Sequence, residues 1–263
     1  MSNTNLSSQE IKEAVKERYA NIIKTRSCCG TGEKTSGGAF KEDYNKVDGY
    51  VANADYNLGC GLPTEHAAIK EGNHVLDLGC GAGNDVFIAR RIVGDSGRVV
   101  GLDMTEDMLA KAEENKSKLG FGNVEFVLGE IEDMPLDNNS FDVVVSNCVL
   151  NLVPDKNKAY TEVYRVLKSG GHFCMSDVVL SEPLPDKIIE RPELYASCVS
   201  GALLQEDYLQ AIRDAGFTNI EIVKERTIEL SDEKLDAILT PDELKDFRSK
   251  PSPVLSITIK GRK

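Results

Sequence analysis

The stretch His74-Val-Leu-Asp-Leu-Gly-Cys-Gly-Ala-Gly83 is an apolar run of strand character that passes straight into a turn with glycine at every second position. Gly79, Gly81 and Gly83 let the chain turn tightly and let a ligand approach the backbone where any Cβ would collide. The spacing is G-x-G-x-G, tighter than the dinucleotide fingerprint, and Asn84 stands where that fingerprint has its third glycine. Asp77, just before the glycines, is placed to hold the loop or to meet a cationic amino group. Asp103 ends the next strand-like run, where an acid accepts hydrogen bonds from a ribose diol. A glycine loop alone is weak evidence. Here the strand before it, the helix after it and the following acid are all in register.

Outward from this loop, strands and helices alternate. Short, β-branched apolar runs at His74–Leu78, Arg98–Asp103, Val124–Leu128, Phe141–Ser146 and His172–Asp177, the last running on towards Leu180, are expected as strands buried on both faces. Helical stretches lie between them at Asp85–Val93, Glu106–Leu119 and Asp155–Leu167. Thr105 is the expected N-cap of the second, and Gly120 and the pair Gly170-Gly171 are the expected helix stops. Such alternation means a parallel sheet with helices on both faces.

Past Leu180 the regularity weakens. Pro183, Pro185 and Pro192 lead to an expected helix around Glu193–Ala202, then another over Gln205–Ala215, a strand at Ile220–Val223 and a charged surface helix within Asp232–Lys250. A last strand, Val254–Ile259, is expected antiparallel at one edge. On the other side of the loop, Ile11, Val15, Tyr19, Ile22 and Ile23 fall at helical spacing, predicting an amphipathic helix over about residues 8–24. A Gly-, Ser- and Thr-rich loop, 27–40, and a helical stretch around Pro63–Glu71 follow. The fold class is therefore α/β: a doubly wound, mostly parallel seven-stranded sheet with an N-terminal helical arm and a C-terminal accessory region. The divisions fall at 1–71, 72–180 and 181–263.

The charge balance narrows the partners. Thirty-one Lys and Arg face 43 Asp and Glu in 263 residues, a net charge of −12. That is the wrong sign for sequence-independent binding to nucleic acid. No apolar run approaches the length of a membrane span, and the polar start lacks the apolar segment of a signal peptide, so a cytoplasmic protein is expected. Seven cysteines, an odd number in such a chain, argue against a disulfide framework. No C-x-x-C pair supports a structural zinc site. Of the three histidines, His74 and His172 begin strands and are expected to face solvent, and His66 has no partner constellation.

Cysteines at three distant places attract attention, because ligands bind an open α/β sheet outside the carboxyl ends of its strands. Cys148 follows directly on the fourth strand, beside Asn147, and Cys60 lies where the N-terminal arm would fold over the same edge. Cys198 follows the fifth strand. They are either three thiols converging near the glycine loop or three small buried residues. Cys80, in the loop, and Cys174, in the fifth strand, read as a turn residue and a core residue.

The loop with its preceding Asp resembles the class I S-adenosylmethionine-dependent methyltransferases, whose core is Rossmann-like. The segments Leu58-Gly-Cys-Gly-Leu-Pro63, Val144-Val-Ser-Asn-Cys-Val-Leu-Asn-Leu-Val-Pro-Asp-Lys156, Arg165-Val-Leu-Lys-Ser-Gly-Gly171 and Cys198-Val-Ser-Gly-Ala202 look like arsenite methyltransferases in particular. The resemblance implies that Asp77, Gly79, Gly81, Gly83, Asp103, Met104, Ile131, Glu132 and Asn147 contact S-adenosylmethionine. It also implies that Cys148 and Cys198 bind trivalent arsenic, with Cys60 as the third thiol and Cys28 or Cys29 as redox candidates. Leu58 stands where family members often carry tyrosine, so no stacking ring is assigned there. Trivalent arsenic is thiophilic and, bound through sulfur, keeps a lone pair that can take a methyl group with no proton to remove. The implied partners are arsenite and a thiol reductant, either a thioredoxin-type system or a small thiol.

Two other readings compete with this one. The same cofactor could serve a small organic substrate, in which case turnover would be indifferent to Cys60, Cys148 and Cys198. A non-enzymatic thiol–metal binding protein would not be stabilised by S-adenosylmethionine.

Overall fold

The computed structural model describes residues 7–25, 43–189, 201–230, 235 and 239–263. Cys28, Cys29, Cys198 and the helix expected around Glu193–Ala202 lie outside the described residues, apart from the last two positions of that helix. The elements run α1 (Ser8–Thr25), α2 (Pro63–His66), β1 (His74–Leu78), α3 (Asn84–Val93), β2 (Arg98–Asp103), α4 (Glu106–Leu119), β3 (Val124–Leu128), β4 (Phe141–Asn147), α5 (Lys156–Val166) and β5 (Leu167–Leu180). They continue with α6 (Asp186–Ile189), α7 (Gln205–Asp214), β6 (Thr218–Thr227), α8 (Pro241–Arg248) and β7 (Val254–Arg262). All seven strands form one sheet in the order β3-β2-β1-β4-β5-β7-β6, bearing out the α/β fold and its seven strands. Strands β1 to β5 are parallel, and β7 is antiparallel to both its neighbours.

The period of two in the central strands sorts their side chains into two cores. Leu76, Leu78, Val100, Leu102 and Val144 pack with Tyr160 and Val163 of α5 and Tyr208 and Ile212 of α7 on one face. Val75, Val99, Val143, Val145 and Cys174 pack with Val86, Phe87 and Val93 of α3 on the other. Burial of both faces is what continuous apolar runs in a parallel sheet require. A third cluster joins Ile11 and Val15 of α1 to Leu152, Val178, Ile228 and Val254, and it encloses Cys60 and Cys148. The N-terminal arm is thereby bound to the sheet's carboxyl edge.

Several expectations need correction. β7 is not the edge strand: it lies between β5 and β6, and β6 is at the edge. Its polar residues Ser256 and Thr258 alternate along the strand. Both are buried, with Ser256 Oγ donating to the Cys60 carbonyl at 2.7 Å and Thr258 Oγ1 bonded to Ser176 Oγ at 2.9 Å. Gly170-Gly171 does not stop α5. The helix ends at Val166 because Leu167 is already extended and paired with Phe141. Thr105 sits at the N-cap of α4 without a side-chain cap bond; its own N–H donates to Asp103 instead. The stretch expected helical over Pro63–Glu71 forms only the single turn of α2, after which Ala68 turns left-handed. His172 lies inside β5 rather than at its start, and its ring bonds the Ala67 carbonyl instead of facing solvent. Within Asp232–Lys250, Leu235 and Leu239 are buried, so that segment is not wholly a solvated surface.

Candidate active site

The glycine loop opens directly off β1. Gly79, Gly81 and Gly83 have φ of +62°, +52° and +94°, a region L-residues seldom occupy. Side chains are also excluded by space at two of them: a Cβ on Gly79 would meet the Val149 side chain at 2.6 Å, and one on Gly83 the Phe87 ring at 2.9 Å. At Gly81 the nearest atom to such a Cβ is 3.8 Å away, on Met108, so the backbone there borders open space. Asp103, at the end of β2, holds this loop, accepting from Gly81 N at 2.9 Å and from Thr105 N at 2.8 Å. The Thr105 side chain and the Met104 backbone also bond this carboxylate.

Three carboxylates converge here. Asp77 is buried, and its Oδ2 lacks a hydrogen-bond partner among the described residues. Burial, reinforced by Asp85 and Asp103, pushes its carboxyl well above the usual range. Asp85, in the first turn of α3, is raised to about 6 by burial, against the hydrogen bonds it accepts from Asn147 and Tyr44. Burial likewise raises Asp103. A cavity lined by buried acids, one of them orphaned, suits a cationic ligand. The sulfonium and ammonium groups of S-adenosylmethionine fit that charge, and the glycine cradle fits its close approach.

The cavity is lined by Asp77, Gly79, Gly81, Asp103, Met104, Ile131, Glu132, Asn147 and Cys148, together with Lys12, Val15 and Tyr19 of α1 and Tyr44 and Tyr56 of the segment before α2. Gly83, the last cofactor candidate, stands at the start of α3 as its N-cap. Glu132 is buried and engaged twice, by the Lys12 ammonium and by the Asp155 N–H at 3.0 Å. Lys12 also bonds Glu130 at 2.7 Å, so α1 closes over the cavity through one lysine and two glutamates.

Asn147 joins this cavity to the cysteines. Its Oδ1 accepts from Cys60 N at 3.0 Å and Gly61 N at 3.2 Å, while its Nδ2 donates to the Gly61 carbonyl at 2.9 Å and to Asp85 at 3.2 Å. Nδ2 also meets Tyr44 Oη, which donates in turn to Asp85. Gly59 and Gly61 are needed for this approach: a Cβ on the first would meet the Asn147 amide at 2.6 Å, and one on the second would overlap the Ser176 side chain. Cys148 follows with φ of +62°, and its N–H donates to the Ser176 carbonyl at 2.7 Å. A cysteine held left-handed is backbone strain concentrated at the site. The thiols of Cys60 and Cys148 and a carboxylate oxygen of Asp177, in β5, lie within 4.8 Å of one another, and all three residues are buried.

Cys80 and Cys174 behave as the sequence suggests. Burial pushes both thiols up, Cys174 to about 12, which keeps them protonated. Sequence reasoning missed Lys12, Tyr44, Asp85 and Asp177. Asp177 carried a signal: an acid between the apolar stretches Phe173–Met175 and Val178–Leu180 of β5, at the carboxyl edge where ligands bind. Tyr44 and Lys12 reach the cavity only through the path of the N-terminal arm, which no spacing records.

Residues 69–216 match the model of a methyltransferase domain, more than half of the chain. The chain is 38% identical to an arsenite methyltransferase of Halobacterium salinarum, over 97% of its own length and 67% of the relative's. It is 35% identical to the arsenite methyltransferase of Mus musculus, over 88% of this chain and 64% of that one. Among solved structures it resembles an arsenic (III) S-adenosylmethionine methyltransferase from Chlamydomonas reinhardtii, with a TM-score of 0.66 and 38% identity over 78% of this chain and 67% of that one. Fold, glycine cradle and acidic cavity define a class I methyltransferase that uses S-adenosylmethionine. Within that class the chain belongs to the arsenite methyltransferase family, and it spans about two thirds of the length of the relatives it matches.

Proposed function

We propose that this protein transfers a methyl group from S-adenosylmethionine to trivalent arsenic held by cysteine thiols, as part of arsenic detoxification. The observation that carries the reading is the meeting of Cys60 and Cys148 within 4.8 Å, at the strand edge beside the acidic cavity. Arsenic in its trivalent state favours sulfur over carboxylate or imidazole. Cys148, and Cys198 by its resemblance, are the arsenic ligands, with Cys60 the third.

The bound cofactor supplies an electrophilic methyl on a sulfonium. The chain's residues supply place and alignment. Asp77 and Asp103 receive the donor's ammonium and ribose, Met104 and Ile131 flank its adenine, and Glu132 and Asn147 complete the contacts. Asn147 ties the Cys60 loop to this cradle, which keeps the nucleophile in register with the donor. Tight alignment at about 3–3.5 Å is what such a displacement needs. No general base is required, because the arsenic lone pair attacks and no proton leaves.

Each transfer oxidises arsenic from the trivalent to the pentavalent state. Two thiols joining as a disulfide return two electrons and release two protons, and an external thiol reductant then restores them. Cys60 with Cys28 or Cys29 is the pair we assign to that step. No described helix is long and apolar enough to cross a membrane. The test is arsenic speciation after incubation with arsenite, S-adenosylmethionine and a thiol. Methylated arsenic is expected from the wild type and none from Cys148→Ser; absence of any methylated product from the wild type would overturn the reading.

A further inference from the structure

We propose that Cys60, Cys148 and Asp177 form a binding site for a thiophilic divalent cation of the zinc and cadmium kind. The three donors come from three elements: the loop before α2, the residue after β4, and β5. None is joined to another by short sequence spacing, which is why the absence of a C-x-x-C pair did not reveal them. Their ligand atoms all lie within 4.8 Å of one another. Around a tetrahedral zinc, with bonds of about 2.3 Å to sulfur and 2.1 Å to oxygen, neighbouring ligands stand roughly 3.5–3.8 Å apart. The donors therefore stand at most about 1.3 Å wider than such an ion needs. Two thiols and a carboxylate are a donor set for zinc, with a fourth position left for solvent or substrate.

Asp177 is the distinguishing member. It is 1% exposed, in a strand otherwise apolar at that end. Its Oδ1 accepts from Val178 N at 2.9 Å, and Tyr208 Oη approaches its Oδ2 at 3.4 Å. The backbone of Asn151 also bonds it, and the Lys156 charge acts on it from a distance. These contacts leave a lone-pair site on a carboxylate that has room for several. Trivalent arsenic has little use for an oxygen donor of this kind, whereas a divalent ion of borderline softness does. On binding, each thiol gives up its proton to solvent and the ion loses the water molecules it exchanges, with no change of oxidation state. The cation and arsenite would then compete for Cys60 and Cys148.

The probe is cadmium, titrated into the full-length protein by equilibrium dialysis and followed by its ultraviolet sulfur-to-metal charge-transfer band. One ion per chain is expected at this site, with the band lost in Cys60→Ser and in Cys148→Ser. Asp177→Asn should weaken cadmium about tenfold or more while moving arsenite affinity by less than about twofold. X-ray absorption on the wild type needs no variant, and should show two sulfur neighbours, or three where Cys198 joins them, with oxygen completing the shell. A shell of oxygen alone or of four sulfurs would overturn the proposal, as would cadmium affinity indifferent to all three substitutions. Equal weakening of cadmium and arsenite in Asp177→Asn would reduce the carboxylate to a structural role and also overturn it. None of the cadmium measurements involves methyl transfer, so a failure of the arsenic reading leaves them interpretable.

Discussion

Asn147 uses both ends of its amide, receiving two backbone N–H groups of the Cys60 loop and donating to Gly61 and Asp85. Replacing it with alanine strands several part-buried groups at once, each worth about 1 kcal/mol or more. Asn147→Ala should lose about 2 kcal/mol in a urea melt, and its Cys60 should react with thiol reagents much faster than in the wild type. Asp85 gives a pH signature. Its folded value of about 6 exceeds the ordinary 3.8, so the folded state holds the proton more tightly than the unfolded chain does. Its contribution is therefore fully present below about pH 4 and falls away as pH rises through 6. Asp85→Asn should match the wild type near pH 4 and gain relative to it above pH 6, as read from melts of the ligand-free protein across that range.

At the scale of elements, α1 is the roof of the acidic cavity. Ile11, Val15 and Ile22 anchor it by burial, while Lys12 reaches down to Glu130 and Glu132. Lys12→Ala leaves Glu132 buried without its cation, at a cost of about 1–3 kcal/mol. The expected result is a lower melting temperature and faster release of S-adenosylmethionine, measured by stopped-flow or by the cofactor's protective effect in a melt. The turn between β1 and α3 answers to a different probe. Gly81→Val places a β-branched side chain at φ +52°, facing open space rather than neighbours. Cofactor-induced stabilisation should vanish, beyond whatever stability the backbone strain removes.

For the whole molecule, β7 is the strand that joins the Cys60 loop and edge strand β6 to the core. It pairs with β5 from His172–Arg262 to Leu180–Val254, it gives edge strand β6 its sheet partner, and Ser256 holds the Cys60 carbonyl. Removal of residues 254–263 should abolish cooperative unfolding altogether, as judged by calorimetry. The parallel half of this architecture was legible in the sequence, because strands buried on both faces leave unbroken apolar runs and helices between them leave a period near four. The position of β7 was not. Alternating Ser256 and Thr258 mimic a solvated face, and only the arm lying across the sheet turns that face inward. The site divided in the same way. Glycine loop, Asp77 and Asp103 are local in sequence and could be read directly, as could Cys148 from its place after β4. Lys12, Tyr44 and Asp85 are assembled by tertiary packing, and no spacing announces them, whereas Asp177 had its place at the carboxyl edge of β5 as a signal.

Residue 148 sits in a conformation where an L-amino acid costs about 1–2 kcal/mol over glycine. Burial of the side chain in the cluster around Cys60 and Leu152 offsets that strain. Cys148→Gly trades that strain for a cavity, so its melting temperature should stay close to the parent's while arsenic methylation is lost.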